Sequence, residues 1–329
     1  MVKLRDARYC NLKLVLIFLV IYGHLIETGI WHSKMLMTQY KWIYLFHMPL
    51  FCFSSGLFMN DGRTCGYQFS KMLSLYMFLQ TFAVLLGNGK VDPLTPYWHL
   101  WYLLSYSAWA GFGWLWFRFG NGRGKIVILA CTILVGCLAG FNPEIGREHS
   151  LSRTLVFLPF FWMGLVCDPQ FPWERLRRVS LVGLGIVFAA MARWGEQISV
   201  VFLYQAAPYG KQENGIVLRL LCYLLGTLLC LAVISFVPKK RFLFTRAGAD
   251  TMPAYLVHAP IVLCIRELDI TWQQYLLIAV VIIYAAYKLL RWHGRLYGIV
   301  QIERRDSWCP HFRESTKNTQ SPFTDSCYP

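Results

Sequence analysis

The sequence predicts an all-α protein: a polytopic transmembrane bundle of about ten helices with both termini cytoplasmic. Three observations carry this. Of 329 residues, 56% are hydrophobic and only 15% charged, whereas soluble domains average about 25% charged. The apolar residues come in long runs, each bounded by charge, Pro or Gly, and such runs are too long and continuous for barrel strands. Lys and Arg gather on one side of those runs.

Each run has its own justification. The first, 13–31, follows Lys3, Arg5 and Arg8 and lacks a small-residue cleavage site, so it reads as a retained helix and not a signal peptide. The second, 42–59, contains Pro49, which frees a backbone carbonyl, and Ser54-Ser55-Gly56, which permit close helix packing. The third is 72–88. The fourth, 97–117, opens with Tyr97-Trp98-His99-Leu100-Trp101, and its tryptophans read as an interfacial belt. The fifth, sixth and seventh are 126–142, 153–168 and 180–194; the last two are short, and the seventh is the easiest to merge or drop. The eighth, ninth and tenth are 216–237, 251–267 and 274–291, with Asp250 and Thr251 placed to cap the ninth. Residues 1–291 form the membrane domain and 292–329 a polar cytoplasmic tail. The polar and aromatic stretch 194–215 is either an ordinary loop or a lid over a site.

With the N-terminus inside, most of the 32 Lys and Arg fall on inner segments. The net charge of +15 therefore reflects sidedness in a cell membrane and requires no nucleic acid. The 11 Cys contain no CxxC pair and no zinc-like spacing, so free thiols and no metal site are expected. No internal repeat supports an inverted-repeat transporter.

Ionisable groups inside a membrane are costly and are functional candidates by default. Lys13 and His24 are 11 residues apart, about three helical turns, so they share a face about 16 Å apart along the axis. Alone, Lys13 reads as a snorkelling lysine and His24 as a histidine satisfied by a neighbouring helix. Glu27 lies one turn past His24, close enough to orient or polarise it. His47, His99, Arg153, Tyr255 and His258 reach similar depths in the middle and outer half. The pattern suits a path joining a cytoplasmic anion to an outward-facing site. An imidazole there can take a proton from an alcohol attacking an activated acyl group. A permease for an anionic or acylated glycan needs the same groups and stays open.

Several strings carry a resemblance. They are Arg5-Asp6, Asn11-Leu12-Lys13 and Gly23-His24; Phe46-His47-Met48-Pro49-Leu50-Phe51; His99-Leu100-Trp101-Tyr102-Leu103; Ser152-Arg153-Thr154 with Phe157-Leu158-Pro159; and Gly248 to Thr251 with Tyr255-Leu256-Val257-His258. On these, the chain resembles integral-membrane acyltransferase family 3, its fucose 4-O-acetylase-like branch, over roughly 5–290. It departs at Cys10, where the branch usually has Asp. The resemblance implies transfer of an acetyl or other short acyl group from acetyl-CoA, as co-substrate, to a hydroxyl of a carbohydrate or lipid-linked glycan. It implies His24 as catalytic base or acyl carrier, with Lys13 helping to hold the CoA end or the active conformation. His47, His99, Arg153, Tyr255 and His258 would line the cleft. The lipid bilayer is the other expected partner, and the oligomeric state stays open.

Overall fold

A computed structural model describes residues 7–296 apart from 60, 88–90, 93, 121, 147, 211–213, 266–267 and 269, and only the backbone from 290 onward. The described residues form α1 (Arg8–Ile26), α2 (Lys34–Leu57), α3 (Gly62–Leu86), α4 (Trp101–Phe119), α5 (Lys125–Leu138), α6 (Leu151–Val166), α7 (Arg177–Trp194), α8 (Val200–Leu203), α9 (Gly215–Phe236), α10 (Met252–Ile265) and α11 (Trp272–Leu296). No strand occurs among the described residues. Each of the ten expected segments falls on its own long helix, and the short α8 interrupts the stretch expected as loop or lid.

Four of these helices are long and apolar enough to cross a membrane: Arg8–Ile26, Gly62–Leu86, Gly215–Phe236 and, within α11, Trp272–Leu289. Helices α5 and α10 are apolar but only 14 residues long. Wide apolar faces look outward. On α3, Phe78, Phe82, Leu85 and Leu86 are exposed; on α7, Val182, Ile186 and Phe188; on α11, Val280 and Val281. Water would penalise such continuous surfaces, and acyl chains would not. Helix α11 runs past the expected tail start, to Leu296. The rest of the tail, from 297, lies outside the described residues, as do Arg5 and Asp6.

Local sequence sets the helix starts. The Ser33 hydroxyl accepts the Leu36 N–H, and the Asp61 carboxylate accepts the Thr64 N–H at 2.7 Å. Asp250 does the same for Met252 at 3.3 Å, as its position before α10 predicts. The tightest helix pairing joins α2 to α6. A Cβ on Gly56 would lie 2.1 Å from the Phe161 carbonyl oxygen, and one on Gly164 would lie 2.0 Å from that of Phe53. Only glycine lets these backbones touch. The buried core runs along α1, α2, α4 and α6 and includes Ile17, Tyr40, Trp109, Phe161 and Trp162.

The end of the bundle where α1 begins is tied by polar contacts. The Arg8 guanidinium is buried and donates to Glu174 at 2.7 Å, and Lys239 donates to the other Glu174 oxygen, also at 2.7 Å. Hydrogen bonds from Lys239 and Arg8 hold the Glu174 carboxyl well below the usual carboxylate range, at about 2. Asn11 donates to the carbonyls of Pro238 and Lys240 and accepts from Thr245. These contacts fasten α1 to the connections before α7 and α10. The nine described cysteines are free.

Candidate active site

Near the end of α1, His24 keeps 16% of its side chain exposed within an otherwise packed interior. Its Nδ1 lies 3.3 Å from one Glu27 oxygen. An ionised carboxylate only accepts, so Nδ1 carries the proton and Nε2 is left as the basic nitrogen. One helical turn separates the two residues, so the dyad is a local product of α1.

Distant segments bring aromatic rings around that imidazole. His258, halfway along α10, stacks on it at 5.5 Å between centroids, and Trp98 meets it edge-on at 4.9 Å. His99 lies 5.4 Å from both His258 and Tyr255. The Tyr255 hydroxyl donates to the His99 carbonyl at 2.6 Å, pinning α10 to the single turn that precedes α4. His258 Nδ1 donates to the Tyr255 carbonyl at 2.5 Å, so its Nε2 is also an acceptor. That Nε2 and the His99 Nδ1 are buried without a hydrogen-bond partner among the described residues. Buried polar atoms are nearly always paired, so these two nitrogens mark a place built for a polar group.

His47 is the outlying histidine. Its Nδ1 donates to the Ile43 carbonyl at 2.8 Å, and its ring meets Tyr44 at 4.6 Å. Tyr44 in turn lies against Gly23, the neighbour of His24. His47 thus joins the cluster through an intervening tyrosine. Arg153, at the start of α6, stacks on Trp101 at 4.7 Å and donates through Nε to the Tyr204 carbonyl at 3.2 Å. Lys13 is not in the cluster. Its ammonium donates to the Ala249 carbonyl at 3.1 Å and lies 5.5 Å from the Phe58 ring, at the opposite end of α1.

Sequence reasoning missed two contributors. Trp98, expected in an interfacial belt, instead packs among His24, His99 and His258. Its φ of +37° is unusual for a bulky residue. The other is Tyr204, whose hydroxyl donates to the second Glu27 oxygen at 2.8 Å. The 194–215 stretch, left open as loop or lid, packs down: Ile198, Leu203, Gln205 and Tyr209 are buried. Ser152 donates to the Gln205 carbonyl at 2.8 Å. Among the described residues no cluster of His, Cys, Asp and Glu is arranged to hold a metal ion.

The arrangement offers a nitrogen oriented by a carboxylate, two further unpartnered nitrogens on His258, stacked against it, and on His99, beside His258, and an aromatic wall. This equipment suits removal of a proton from a hydroxyl. A family model described as an acyltransferase domain matches residues 67–290. The match takes in His99, Arg153, Tyr255 and His258 and leaves α1 and α2 outside it. No curated protein and no solved structure matches the chain.

Proposed function

On the premise that the chain belongs to acyltransferase family 3 and is a membrane acyltransferase, we propose that it moves an acetyl or similar short acyl group from acyl-CoA to a hydroxyl of a carbohydrate or exported glycan. The observation that carries this reading is the His24–Glu27 dyad, partly open and facing His258 and Trp98.

The donor approaches from the Lys13 end of α1, taken as cytoplasmic, and the acceptor from the other end. The ammonium of Lys13 has donor capacity beyond Ala249 and attracts the CoA phosphates. About 16 Å separates Lys13 from His24 along the helix, a span suited to the pantetheine arm. His24 Nε2 takes the acceptor proton as the hydroxyl oxygen attacks the thioester carbonyl. The C–S bond then breaks, the new C–O ester bond remains, and the proton passes to the CoA thiolate. Glu27 stabilises the imidazolium formed on the way. His99 and His258 hold the sugar or the carbonyl oxygen beside it. A bundle in the cell membrane with both termini cytoplasmic gives each substrate its own entrance.

The test uses purified protein in liposomes with labelled acetyl-CoA and native membranes as acceptor. His24→Ala should retain membrane insertion and lose acetyl transfer by about 10²-fold or more. A fully active His24→Ala variant rejects the role of His24. Solute movement without CoA release would replace the enzyme with a permease.

A further inference from the structure

The chemistry proposed above leaves one strong feature unused: a chain of tyrosine hydroxyls ending on Glu27. The Tyr40 hydroxyl donates to that of Tyr204 at 2.9 Å, which donates to Glu27 Oε1 at 2.8 Å, while Glu27 Oε2 faces His24 Nδ1 at 3.3 Å. We infer that Tyr204, backed by Tyr40, is a positioning residue for the reaction, fixing through its hydroxyl the carboxylate that orients His24. This rests on His24 being the base.

The direction of the chain follows from donor counting. A phenol has one proton to give. Because Tyr204 accepts from Tyr40, that proton is directed to Glu27. Glu27 is flanked on one oxygen by the imidazole and on the other by the phenol. With its side chain 32% exposed, the carboxylate would otherwise sample rotamers that lose the imidazole, at an entropic cost to orientation.

Tyr204 is itself held from several sides. Its ring meets Tyr44 at 5.6 Å and Tyr40 at 6.3 Å, and those two stack on each other at 3.9 Å. Its carbonyl accepts from Arg153, and the next carbonyl, of Gln205, accepts from Ser152. Gln205 has a φ of +54°, an uncommon conformation for a side-chain-bearing residue. Strained backbone persists where its surroundings over-determine it. The turn that follows α8 therefore supplies the hydroxyl that aligns the base, and is itself held in place by α6.

The test is kinetic, on full-length protein in liposomes, with acetyl-CoA as the varied probe and a total glycolipid extract of the producing cells as acceptor. Tyr204→Phe removes one oxygen and keeps the ring. It should lower kcat roughly 3- to 10-fold, the worth of one hydrogen bond, and leave KM for acetyl-CoA within about twofold. Tyr40→Phe should lower kcat by a smaller factor, and the double variant should be no slower than Tyr204→Phe alone, because both hydroxyls act along one chain. Unchanged kcat in Tyr204→Phe overturns the inference. So does a loss confined to KM, or two losses that multiply in the double variant. If Tyr204→Phe fails to fold, Tyr40→Phe alone decides, with a wild-type kcat counting against the chain. An inactive His24→Ala beside a fully active Tyr204→Phe removes only the positioning role. An active His24→Ala removes the reaction it serves.

Discussion

Trp98 and Gln205 both adopt positive φ, and both sit within one residue of a group that touches the His24–Glu27 dyad or is part of its wall. Such backbone costs of order 1–3 kcal/mol and points to a site when it is observed. At this scale the carboxylate makes a sharp prediction. Glu27→Gln keeps an oxygen to accept from Tyr204 but removes the charge that stabilises an imidazolium. Transfer should fall by roughly 10-fold or more in kcat, with KM for acetyl-CoA little changed. Steady-state kinetics in liposomes check it, and an equal fall in kcat and rise in KM would contradict it. Arg153 is predicted to act differently. It holds the Tyr204 carbonyl and stacks on Trp101, so Arg153→Lys should lose the planar stack and loosen Tyr204, lowering kcat in the liposome assay without abolishing transfer.

Helix α2 carries much of the architecture around the site. It supplies Tyr40, Tyr44 and His47 to one side and presses Gly56 against α6 on the other. Pro49 leaves the Leu45 carbonyl without its helical N–H partner, and α9 approaches that carbonyl at Gly226. The α2–α6 contact is the element's weak point under substitution. Gly56→Val or Gly164→Val would push two backbones apart at a place where even one Cβ lies about 2 Å from a carbonyl oxygen. Overpacking in a tight core costs about 1–3 kcal/mol, and these contacts are backbone on both sides. Either variant should lower the melting temperature in detergent by several degrees, and an unchanged melting temperature would refute the packing argument.

For the molecule as a whole, the end of the bundle where α1 starts is closed by charge, and the other by aromatic hydroxyls. The Glu174 carboxyl, held at about 2 by Lys239 and Arg8 against an ordinary 4.5, stays ionised in the folded protein where the unfolded chain would take up a proton. A depressed carboxyl contributes stability that is complete above the unfolded value and is lost as pH falls through the folded one. Between about pH 4.5 and 2 the wild type should therefore lose stability more steeply than Glu174→Gln, in melting curves recorded across that range. A matching acid response in both proteins would show that the contact contributes nothing. Sidedness is tested separately: a reporter fused to the C-terminus should read as cytoplasmic.

Composition, hydrophobic run length and capping residues by themselves determined that this chain is a helical membrane bundle, and they placed a long helix at each expected run, although α2 and α3 start well before the expected 42 and 72, at Lys34 and Gly62. Local spacing also determined the His24–Glu27 dyad, because one helical turn is a property of sequence distance alone. The roles of Trp98 and Tyr204 were decided only by tertiary structure. Tyr204 lies 177 residues from Glu27, and nothing in its own neighbourhood distinguishes a loop tyrosine from one that reaches a carboxylate. The same holds for the nearness of His258 to His24. Hydrophobic periodicity encodes which face of a helix is buried, but it does not encode what that face meets. That pairing is set by close contacts such as Gly56 on α6 and by the hydrogen bonds that fasten the start of α1, which act between residues far apart in sequence.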